Sequence, residues 1–226
     1  MVEALLPDGL IAALVAFSAI TVIVMRDLRR AVMLFFVFCI LMAVVWFRLA
    51  LPLLGAVEVC IGALMTGFVL WHALRLLPGF PGPDTIVPWR LESRSAGLIL
   101  SLTGTVIFMG FSGAAVFYFF QGAAGSEYTW YAVSGIPVAG AGFFALSYQR
   151  HLLRRVFAFN MLGSGVFLLI VCFAKKRAFA MDVPFVMVTS GLLVAFFASL
   201  MVVILIGRSP VTGEPQASGG VETDAR

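Results

Sequence analysis

In LLGAVEVCIGALMTGFVLWHAL (53–74), Glu58 is the only carboxylate among 22 residues that otherwise suit lipid. An ionisable group at the centre of a membrane span costs at least about 2.5–3.5 kcal/mol on insertion scales. Such a group is paired, hydrated or protonated, and function is its default explanation. Two readings follow: a proton or cation relay, or a structural hydrogen bond to a neighbouring helix. At about 100° per residue, Glu58, Gly62, Met65 and His72 form one stripe. His72 lies about 21 Å further along the axis, too far to touch Glu58 but able to share one wet path with it. Its place near a helix end beside Arg75 also suits an interfacial residue. The small residues Gly55, Gly62 and Ala63 predict a face that packs closely on another helix, turning Glu58 toward protein. Asn160, in a later apolar run, is either inter-helix glue or a further polar station.

Other chemistries lack their parts. A retinal Schiff base needs a lysine inside the last helix, whereas Lys175 and Lys176 are expected in a loop. Two distant histidines, His72 and His151, give no zinc pair such as HExxH. Ser164, in GSG, has no histidine at its depth to act as a base. Cys39, Cys60 and Cys172 lie in apolar runs without metal or disulfide spacing. No phosphate-binding loop or haem pair is present, so no catalytic residues, metal or cofactor are expected and the chain does not read as an enzyme. The net charge of +4 gathers at the ends of apolar runs, which argues for topology and against nucleic acid.

The elements that position these groups are long apolar helices. The chain is 62% hydrophobic and 12% charged, about half the charged content of soluble domains. About 20 helical residues cross the hydrocarbon. Seven runs approach that length: 7–25, 31–49, 52–77, 95–120, 128–148, 152–174 and 184–207. The fold class is therefore an all-α integral membrane protein of about seven transmembrane helices. Pro52 suits a first helical turn, Asp182 before Pro184 suits a cap, and Pro137 interrupts the fifth run. With the N-terminus outside and the C-terminus inside, eleven Lys and Arg lie inside and four outside, namely Arg48, Lys175, Lys176 and Arg177. That bias supports N-out, C-in. The acidic MVEALLPDGL lacks the basic region of a signal peptide, so the first run is expected to be retained. The Pro-rich 78–94 reads as an inside loop and the polar 209–226 as a disordered cytoplasmic tail.

Two parts of the chain resemble known families. DLRRAVMLFFVF followed by PLLGAVEVCIGA is similar to the MbhD-like domain of membrane hydrogenases and Mrp cation/proton antiporters, with Pro52, Glu58, Gly62 and Ala63 in the matching places. Leu53 stands where that family often has Asp. Over 128–208, QRHLLRRVFAF and DVPFVMVTSGLLVAF resemble the C-type component of Mrp antiporters and its relative, the K-type component of complex I. Asn160 occupies the place of the K type's first membrane glutamate, and the last run has no second one, which leans toward the Mrp C type. The resemblance implies four parts: an MbhD-like module over 1–80, a loop and linking helix over 81–127, an Mrp C-type module over 128–208, and the tail 209–226. It further implies a subunit of an Mrp-type Na+/proton antiporter or a related complex-I-like assembly in the bacterial inner membrane. Its partners would be a large antiporter-like subunit, other membrane subunits, lipid, protons and Na+. The alternatives are a purely structural scaffold of that assembly, or a self-contained small-solute transporter.

Overall fold

The computed structural model describes the backbone of residues 2–76, 95–120, 127–149, 152–177 and 181–208. The expected loop over 78–94 and tail over 209–226 lie outside these residues. Among the described residues every element is helical: α1 (Val2–Val24), α2 (Leu28–Arg48), α3 (Pro52–Val57), a π-helix (Glu58–Thr66), α4 (Gly67–Leu76), α5 (Ser95–Phe120), α6 (Glu127–Tyr148), α7 (Leu152–Lys176) and α8 (Asp182–Arg208). The segments from Pro52 to Leu76 follow one another without a break. Each of the seven expected runs falls largely on a helical rod. Six rods are long and apolar enough to cross a membrane, and α1 carries a shorter apolar stretch, Asp8–Val24.

The helix ends follow from local chemistry. Asp27 caps α2 by accepting from the backbone N–H groups of Arg29 (2.9 Å) and Arg30 (3.4 Å), which satisfies donors left open in a first turn. At the other end of α2, the Leu51 N–H donates to the Trp46 carbonyl and the Ala50 N–H to that of Phe47. This is a Schellman reversal, with Ala50 at φ 53° where glycine is usual. Pro52 opens the next helix at once. The tight reversal sets α3 and the π-helix antiparallel to α2, so that Trp46 stands opposite the residues after Pro52. Asp182 is the first residue of α8, not a flanking cap. There its charge complements the helix dipole.

The C-terminal turn of α1 is closed from the other half of the chain. Arg154 Nη2 donates to the Arg26 carbonyl at 2.7 Å, and Gln149 Nε2 donates to that of Ile23 at 3.3 Å. These side chains occupy carbonyls that a helix end leaves unsatisfied. The basic run at 175–177 has a local role as well. Lys175 and Lys176 fill the last turn of α7, where cations suit the dipole, and Arg177 sits 5.4 Å over the Phe119 ring.

α7 is the most buried of the six long helices, and α2 contributes Phe35, Phe38, Met42 and Trp46, all fully buried. Phe35 packs on Phe157 of α7 at 5.3 Å between ring centroids. The glycines around Pro137 have a packing role. A Cβ on Gly135 would come within 3.0 Å of the Gly165 carbonyl, one on Gly142 would strike the Leu162 and Ala158 backbone, and one on Gly165 would strike the Ala139 backbone. Residues 135, 139 and 142 are thus a small-residue face that brings α6 and α7 into backbone contact, the usual way helices associate in lipid. α5 is the most exposed of the six long helices.

Candidate functional site

Glu58 is 2% exposed, so the expectation that it faces protein holds for this structure. It lies six residues into the Pro52–Arg75 span, about 9 Å from the end at which α2 reverses. Trp46 Nε1 donates to Glu58 Oε2 at 3.3 Å, a long bond for N–H···O. Among the described residues Oε1 accepts no hydrogen bond. Oε1 keeps accessible surface toward the adjoining cavity; among the described residues the fully buried side-chain polar atom without a partner is Thr189 Oγ1.

Glu58 also begins the nine-residue π-helix Glu58–Thr66. The Thr66 hydroxyl donates to the Ile61 carbonyl at 2.7 Å, five residues back. π-Helical segments are rare and concentrate at functional sites. This one also changes the register of the rod. An i→i+5 backbone turns less per residue than an α-helix, so the stripe of Glu58, Gly62, Met65 and His72 expected from α-helical spacing is not formed. Glu58 and Gly62 are buried, whereas Met65 and His72 are exposed. The His72 ring stacks on Phe68, 6.4 Å between centroids, and does not line the cavity beside Glu58.

That cavity has a volume of about 260 Å³ between α7 and α8, with Trp46 and Glu58 reaching it from α2 and the π-helix. Asn160 and Ser164 line it from α7, Ser190 and Gly191 from α8. Asn160 Nδ2 donates to the Val156 carbonyl at 2.9 Å, and Ser190 donates to the Met187 carbonyl at 3.0 Å. The Phe167 ring lies against the Cα of Gly191, where a Cβ would collide with it. The structure therefore brings Glu58 and Asn160 to one cavity and leaves His72 outside it. Ser164 and Ser190, polar residues of apolar runs, join them.

The small residues divide in role. A Cβ on Gly55 would come within 2.8 Å of the Phe47 ring, so this glycine admits α2 as expected. Ala63 is fully buried in the core. Gly62 differs from expectation: a Cβ there would meet Glu58 Oε1 at 2.7 Å. It makes room for the carboxylate of its own helix, not for a neighbouring helix.

A second buried carboxylate escapes the sequence reading. Asp8 of α1, 3% exposed, pairs with Arg48 of α2 (Nη2 2.7 Å, Nε 2.9 Å) and accepts from the Tyr131 hydroxyl of α6 at 2.8 Å. The available signal is topological: in antiparallel neighbours, the start of the first run and the end of the second share a level, which sets Asp8 beside Arg48. Among the described residues no group of three or more His, Cys, Asp or Glu is placed to hold a metal ion. No family model, curated protein or solved structure matches this chain.

Proposed function

We propose that the chain is an integral subunit of a multi-subunit cation/proton-translocating assembly, of the Mrp antiporter or complex-I-like kind, in the bacterial inner membrane with its N-terminus outside. Glu58 is its protonatable station. One observation carries this reading: a buried carboxylate, hydrogen-bonded only by a neutral indole, opens a π-helix and lines a half-open, mainly apolar cavity that Asn160, Ser164 and Ser190 also reach. Trp46 holds Oε2 in place, so Oε1 is the atom that takes and releases the proton. In the neutral form the group sits in its apolar surroundings without the cost of a buried charge. In the charged form it needs a cation or water at Oε1, and the cavity has the volume for either. Asn160, Ser164 and Ser190 provide polar edges along which water can approach. The large antiporter-like partner supplies the rest of the path.

The scaffold reading rests on the Trp46–Glu58 bond itself, which ties α2 to the π-helix. Glu58→Gln separates the two readings, because glutamine keeps an acceptor for Trp46 and loses the titratable proton. In inverted vesicles carrying the complete assembly, cation-driven proton movement should fall with the content of every subunit unchanged. Transport at the wild-type rate in Glu58→Gln would leave only the scaffold.

A further inference from the structure

We infer that the groove where α1 passes into α2 binds one anionic phospholipid, its phosphate on Arg26 and Arg30 and an acyl chain along the exposed face of α1. The groove has a volume of about 540 Å³ and is lined by Ile20, Thr21, Val24, Met25, Asp27 and the two arginines. It combines a charged end with an apolar wall, and that asymmetry selects a lipid over a protein helix or a free anion.

The charge balance favours an anion. Asp27 is engaged within the protein: Oδ1 accepts from the backbone of Arg29 and Arg30, and Oδ2 meets Arg30 Nε at 3.3 Å. The Arg30 side chain is nevertheless 74% exposed, leaving the remaining N–H groups of its guanidinium open to a second partner. The Arg26 guanidinium is exposed and has no partner among the described residues. Its backbone carbonyl is held by Arg154, which fixes the turn carrying it. Arg29 is committed elsewhere, 5.3 Å over the Trp71 ring.

The apolar wall has the length of one leaflet. Leu10, Leu14, Phe17, Ile20 and Val24 are all exposed large side chains on α1, spaced three to four residues apart on one face. Val24 to Leu14 spans about 15 Å at helical rise, about half the hydrocarbon thickness. A phosphate at Arg26 and Arg30 therefore lays its acyl chain on this stripe. Basic residues at this level attract the anionic lipids of an inner leaflet. The site is independent of Glu58.

The test uses the full-length protein in mild detergent, with lipid retention read by native mass spectrometry. Phosphatidylglycerol and phosphatidylcholine of one acyl composition are titrated separately, with millimolar inorganic phosphate as competitor. The expected result is preferential retention of one phosphatidylglycerol, undisturbed by phosphate, with affinity falling about fivefold in Arg26→Gln and again in Arg26→Gln/Arg30→Gln. The single variant alters an exposed, unpartnered side chain, so it reports even where the double variant is misfolded. Equal retention of both lipids, unchanged retention in Arg26→Gln, or displacement by inorganic phosphate would each overturn the lipid site.

Discussion

Asp8 and Glu58 are both buried acids, and their surroundings differ in kind. Asp8 accepts on one oxygen, Oδ1, from two N–H groups of Arg48 and from the Tyr131 hydroxyl, all within 3 Å, and joins three helices. Glu58 has one long bond from an indole and a cavity beside it. A carboxylate paired with a cation fixes a structure, and protonating it would break the pair. A carboxylate with only a neutral donor, beside a cavity, can change its proton without dismantling its neighbours. Burial alone does not separate these roles; a charged partner does, together with the number and length of the hydrogen bonds.

The contrast breaks most easily at the Asp8 end. Arg48→Ala leaves that carboxylate buried with only Tyr131 beside it, and the largest loss of stability in this set is expected in detergent unfolding. Transport per assembled complex should stay unchanged. Tyr131→Phe removes one short charge-assisted bond and should cost about 2 kcal/mol in the same measurement. At the other end, Gly62→Ala puts a Cβ where Glu58 Oε1 now lies. The displaced atom is the end of a flexible side chain, so stability should fall by less than about 1 kcal/mol, while cation-driven proton movement in vesicles should drop. A stability loss as large as that of Arg48→Ala would place Glu58 in the same class as Asp8. The smallest effect is expected at the reversal between Trp46 and Glu58. Ala50→Gly relieves a left-handed alanine and should raise stability by about 1 kcal/mol, with transport unaltered.

Much of this arrangement is legible in the sequence because apolar run length and helix length share one physical cause. The rods, the first-turn Pro52 and the buried Glu58 all follow from it. The failures come from interactions that cross the chain or bend the register. The α-helical stripe from Glu58 to His72 assumes 100° per residue, and the π-helix invalidates that assumption. Gly62 looks like a helix-packing residue until the carboxylate four residues back is seen beside it. The glycines around Pro137 look like breakers, but opposite Gly165 they are the contact surface of α6 and α7. Asp8, Arg48 and Tyr131 are separated by 40 and 123 residues from first to second and first to third, and no local pattern links them. Ser164 and Ser190 come together with Glu58 only once α7 and α8 flank the same half-open cavity.

On the proposed function, Glu58 moves a proton and Asp8 does not. The decisive measurement is proton movement driven by a cation gradient in inverted vesicles that carry the whole assembly with Glu58→Gln or with Asp8→Asn. Glu58→Gln should lower the rate about tenfold or more with every subunit present at its normal level. Asp8→Asn should instead lower the amount of assembled complex and leave the rate per complex unchanged. Wild-type transport in fully assembled Glu58→Gln would contradict a proton-carrying role for Glu58.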